Sequence, residues 1–195
     1  MRNLFFLLFP LIVYANYSDI GPHEVVILDD NFTLSSGQSI DYVFYAPSEI
    51  DHTTQVTLVH AFSRQMDTLF ELAEHYASWG IGVVTMNLLY SSIFENDPLQ
   101  DAQDLREVSN HLSNGRRVIY VGHSSGAMRT IVAASEDSNA AAVLGLDLTD
   151  GAYEDSGGEF LGLTYARTSS IPIWGLLAEP SSCNANGNGI NVYLE

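Results

Sequence analysis

The sequence predicts an α/β protein built on a mostly parallel sheet with helices on both faces. Three observations carry that prediction. Short runs rich in Val, Ile and Leu alternate with segments of helical periodicity across the middle of the chain. The 195 residues suffice for one domain with a substantial core and are too few for two. Residues 117–129, RVIYVGHSSGAMR, read as a buried strand, a sharp turn and the opening of a helix.

The first residues stand apart from that domain. A short positive start is followed by the apolar stretch Leu4 to Val13 and by small residues at Val13 and Ala15. This is the pattern of a secretory signal peptide over residues 1–15, leaving 16–195 as the folded domain and a secreted or periplasmic location. The apolar stretch is too short to span a bilayer, and no later one is longer.

Val25 to Leu28 and Ile40 to Tyr45 read as two strands joined through Ser35-Ser36-Gly37-Gln38. Gln55 to His60 is an apolar third strand suited to burial on both faces. A short loop, Ala61 to Gln65, leads into a helix whose inner face is Met66, Leu69, Phe70, Ala73 and Ala77, with Gly80 stopping it. Ile81 to Leu88 is the fourth strand. Asp97 and Pro98 start a second helix as N-cap and first helical residue, with Ala102, Leu105, Val108 and Leu112 facing inward. Val118 to Val121, then a helix, then Ala141 to Leu146 follow. Gly151 to Ser170 reads as a Gly-rich loop, and Ile171 to Leu177 as the last strand. The Asn184 to Asn188 tract is of low complexity.

Charge narrows the partners. The formal net charge is −17, and all seven basic residues are Arg. Such a chain repels nucleic acid and anionic membrane surfaces. No metal-ligand spacing appears among the six histidines, and no cofactor is implied. Cys183 is the only cysteine, so it has no partner within the chain and is expected as a buried thiol or one paired elsewhere.

Gly122-His123-Ser124-Ser125-Gly126 is a Gly-x-Ser-x-Gly motif between a strand and a helix. In that context it is a nucleophile elbow, which holds its serine exposed on a strained turn. Ser124 is therefore the candidate nucleophile, and it needs a neighbouring base to attack a carbonyl. The N–H groups of Ser125 and of Phe62, in the loop after the third strand, are the candidate oxyanion donors. Three carboxylates stand at strand ends where they could orient an imidazole: Asp147, Asp150 and Glu179. The base is missing. No histidine follows Ser124; His123 is directed away by the elbow, and His60 is expected in a structural role.

These features resemble the α/β-hydrolases, and within them secreted bacterial esterases of the chlorophyllase-like and cutinase-like (polyester hydrolase) groups. Residues 122–126 stand where those families carry Gly-His-Ser-x-Gly. Gly145 to Gly151 resembles the chlorophyllase segment Gly-(Leu/Ile)-Asp-Pro-Val-Asp-Gly, with Leu148 in place of the Pro. Relatives taking their acid after the sixth strand would place it at Asp147, and cutinase-like ones at Glu179; Asp147 is preferred. Phe62 matches the cutinase-like oxyanion aromatic. The resemblance implies a serine hydrolase acting on a small-molecule or polymeric carboxylic ester. It also implies a helix, an eighth strand and a histidine loop beyond Glu195, so the 195 residues are expected to be a fragment, inactive by themselves. Two alternatives stay open: a non-catalytic binding module on the same scaffold, and an acyltransferase or peptidase using the same elbow.

Overall fold

The computed structural model describes residues 16–49, 51–152 and 158–194; residues 1–15, expected as a signal peptide, lie outside them. Seven strands form one sheet in the order β1-β2-β4-β3-β5-β6-β7. They are β1 (Val25–Thr33), β2 (Ser39–Pro47), β3 (Thr54–Val59), β4 (Gly82–Met86), β5 (Arg117–His123), β6 (Ala140–Leu146) and β7 (Ile173–Leu176). The β1–β2 and β2–β4 pairs are antiparallel, and every later pair is parallel. Central strands β3 and β4 are buried almost throughout, as apolar runs covered on both faces must be.

Helix α1 (Phe70–Ser78) and the 3-10 turn before it cover one face, burying Leu69, Ala73 and Ala77 against Tyr45, Leu58 and Val83. The opposite face carries α2 (Pro98–Ser113), α3 (Ser125–Ser135), α4 (Leu161–Thr168) and the short α5 (Ile190–Tyr193) around Val59, Val84, Leu105, Met128 and Ile131. Asp97 caps α2 as its sequence predicts, with its side chain accepting from the N–H groups of Leu99 and Gln100. Gly80 takes a φ of 90° just after α1, where a side chain would be strained.

Three expectations are corrected. The segment 151–170 is not a loop throughout, because it holds α4. Its start is held by a residue distant in sequence: Asp150 accepts from the N–H groups of Gly162 and Leu163. Cys183 is exposed, so it is not a buried apolar thiol. The first strand also runs five residues past Leu28, because an edge strand tolerates Asp29, Asp30 and Asn31 on its open side.

Candidate active site

The elbow forms as a direct consequence of its glycines. At the end of β5, Ser124 adopts φ 54° and ψ −123°, a conformation L-residues avoid unless the surroundings impose it. Its N–H donates to Leu146 O at 2.9 Å, which fastens the turn to the end of β6. A Cβ on Gly122 would lie 2.5 Å from the Ala127 backbone, and one on Gly126 would lie 2.3 Å from His60 O. Only glycine lets α3 start so close to both β5 and β3. That approach sets Ser125, first residue of α3, beside the loop following β3.

Ser125 is at the helix N-terminus, where the geometry leaves its N–H without an intrahelical acceptor. In the β3 loop, Arg64 N–H closes onto Ala61 O at 3.1 Å and Ser63 N–H onto Ser91 O at 2.8 Å. Phe62 N–H, between them, has no acceptor among the described residues. Both amides are thus without acceptors among the described residues, in two segments that meet where Gly126 approaches His60.

The three carboxylates diverge. Asp147 follows β6 with a φ of 51°, another strained position next to Ser124. Its Oδ1 accepts from Ala178 N–H and from Asn184 Nδ2, each at 3.1 Å, while its Oδ2 has no partner among the described residues. Asn184 is almost fully buried and also holds Glu179 O, so it locks the Asp147 carboxylate to the loop after β7. Asp150 is buried and committed to three backbone amides, Gly151, Gly162 and Leu163. Burial pushes its carboxyl above the ordinary value, and those N–H groups pull it back. Glu179 is exposed, and it enters the network through its carbonyl. The structure therefore presents Asp147 as the carboxylate with a fixed orientation and a free oxygen.

No histidine joins them. His60 is buried, with Leu88 N–H donating to its Nε2 at 3.1 Å and its Nδ1 donating to Ala61 O at 2.8 Å. Burial pushes its pKa down, and the nearby Arg129 charge acts in the same direction. With both nitrogens engaged it braces the loop after β3. His123 is exposed, His111 stacks on Phe32, and His75 bonds Tyr17 O. Ser124 Oγ instead donates to Thr149 Oγ1 at 3.3 Å, a hydroxyl that cannot serve as a base. Thr149 and Asn184 were missed from sequence. The only cue to Thr149 was its place within the strand-end segment 145–151.

One further residue shapes the elbow. Arg129, fully buried on α3, donates from Nε to Asp101 Oδ2 at 2.8 Å, from Nη2 to Asn96 Oδ1 and from Nη1 to Ser125 O. Asp101 in turn accepts from Tyr90 N–H. The pair ties α3 to α2 and to the loop after β4. Among the described residues, no group of three His, Cys, Asp or Glu side chains is placed to hold a metal ion, and no helix is long and apolar enough to cross a membrane.

The seven-stranded, mostly parallel sheet with helices on both faces is that of the α/β-hydrolase fold, and comparison with solved structures agrees. A protein from Klebsiella pneumoniae provisionally named a dienelactone hydrolase superposes with a TM-score of 0.72 at 12% identity, over 87% of this chain and 78% of that one. A cold-adapted esterase from an Arctic intertidal metagenomic library superposes with a TM-score of 0.68 at 15% identity, over 87% and 79%. A thermostable carboxyl esterase from Bacillus coagulans gives 0.53 at 16% identity, over 67% of this chain and 47% of its own length. The chain thus spans about four-fifths of some of these structures and about half of others. No protein-family model and no curated protein matches the sequence.

Proposed function

We propose that the site is that of a serine hydrolase cleaving carboxylic esters through an acyl-enzyme on Ser124. The observation that carries this reading is the strained Ser124 at a strand-to-helix turn, with the free N–H groups of Ser125 and Phe62 beside it. Ser124 Oγ attacks the ester carbonyl, and the two amides stabilise the alkoxide that develops on the carbonyl oxygen. An imidazole between Ser124 and Asp147 Oδ2 takes the serine proton and returns it to the leaving alcohol; Asp147 fixes its orientation and tautomer. Water then repeats the sequence on the acyl-enzyme. The described residues place no imidazole there, so the reading requires one that they do not supply. Proteins with structures resembling this one are named as esterases and a dienelactone hydrolase, which supports the ester class. A signal peptide at residues 1–15 makes the enzyme a secreted or periplasmic one.

The absence of a usable histidine favours a second reading, a binding module on a hydrolase scaffold. Treating the protein as its source makes it with a fluorophosphonate separates the two. An adduct on Ser124, absent in Ser124→Ala, is expected. No adduct under mild conditions would leave the binding module standing.

A further inference from the structure

Next to the oxyanion loop lies a cleft of about 490 Å³ walled by the loops after β3 and β4. Neighbouring strands are about 4.8 Å apart, which puts it roughly 5 to 10 Å across the sheet from the end of β5. The chain carries 24 acidic residues against seven basic ones, yet no Asp or Glu lines this cleft. Its polar side chains can all donate hydrogen bonds. Arg64 is exposed and, among the described residues, is the arginine whose side chain makes no hydrogen bond or ion pair. Ser91 is only 4% exposed, and its Oγ has no partner. Asn87 spends its Oδ1 on Met66 N–H, leaving its amide N–H₂ available. Ile93 and Phe94, both strongly exposed, supply the apolar rim.

A buried hydroxyl without a partner is a cost that a ligand oxygen would remove. A guanidinium lining the same cleft selects a planar, two-oxygen anion. We infer that this cleft is a subsite for a carboxylate carried by the ester substrate, bound by Arg64, Ser91 and Asn87, with the hydrocarbon between carboxylate and ester lying against Ile93 and Phe94. The inference rests on the serine hydrolase reading for what the carboxylate is attached to. It adds the substrate class: esters with a free acid group, such as monoesters of dicarboxylic acids. In a chain of net charge −17 the long-range field repels such a substrate, so recognition depends on this local cation.

The test uses uncleavable amides, so that it does not depend on catalysis. Glutaric acid monoanilide and its neutral primary-amide counterpart are titrated against the purified chain by ligand-observed NMR. The acid is expected to bind about tenfold tighter than the neutral amide, the scale of one charge-assisted hydrogen-bond pair. Arg64→Gln is expected to erase that preference, Arg64→Lys to keep part of it, and Ser91→Ala to cut it several-fold. Equal affinities, no measurable binding of the acid, or a preference that survives Arg64→Gln would overturn the subsite. Failure of the hydrolase reading is seen separately, as absent fluorophosphonate labelling of Ser124.

Discussion

Asp147 and Asp150 sit three residues apart, and their surroundings give them different work. Asp150 satisfies the open amides at the start of α4, and removing it leaves those N–H groups buried without acceptors. Asp150→Ala is expected to cost about 2 kcal/mol in urea unfolding. Asp147→Asn keeps the oxygen that Ala178 and Asn184 use, and should change stability by less than about 1 kcal/mol. Its effect belongs to catalysis: fluorophosphonate labelling of Ser124 in the active protein should slow by about 10³ to 10⁴, because the imidazole loses its orienting charge. Glu179→Gln should leave labelling unchanged. The opposite ranking of Asp147 and Glu179 would move the acid to the end of β7. By position in the sequence the three carboxylates are alike, since each follows a strand, and only the family resemblance favours Asp147. What separates them is which distant amides reach each one, and those amides come from residues 12 to 37 positions away.

At the scale of elements, the β5-elbow-α3 unit was legible because every local cue agreed: β-prone residues, glycines at the two close contacts and apolar residues at helical spacing. The α2 start was equally clear from Asp97-Pro98. Helix α4 was not. It has only 8 residues, and its cap arrives from Asp150 rather than from a neighbouring Ser or Asn, so no local start signal exists. The Arg129–Asp101 pair was invisible for the same reason, joining two helices across 28 positions. Arg129→Met alone leaves Asp101 buried and unpaired, and should destabilise the protein by about 3 to 5 kcal/mol in denaturant unfolding. Adding Asp101→Leu removes the stranded charge and should recover most of that loss. If the double variant is as unstable as the single one, the pair matters for shape rather than charge.

For the whole molecule, the excess of acid has a structural consequence beyond repelling anions. Asp104 on α2 is almost fully buried, with Gln100 Nε2 on Oδ1 and no partner on Oδ2. Burial pushes its pKa up to about 6, while the Gln100 hydrogen bond pulls it back and Asp101, Glu107 and Asp97 add to the rise. The folded state therefore holds this proton more tightly than the unfolded chain, whose carboxyl ionises near 3.8. The stabilisation from that proton is complete below the unfolded value and is lost as pH rises through about 6. Asp104→Asn should be more stable than wild type at pH 7.5, and its stability should fall less between pH 4 and pH 6. Urea midpoints at pH 4, 5, 6 and 7.5 check both.

The same scale holds the central claim. The described residues bring together a strained serine, two free amides and an oriented carboxylate, and the one nearby buried imidazole, His60, is fully engaged in bracing a loop. The most direct measurement is the turnover of a neutral nitrophenyl ester by the 195-residue chain, compared with its Ser124→Ala variant. The account predicts turnover several orders of magnitude below the roughly 1 to 10³ s⁻¹ of an ordinary enzyme, since serine, amides and acid lack a proton acceptor. Ordinary esterase turnover that Ser124→Ala abolishes would contradict it, because a base would then have to lie within these residues.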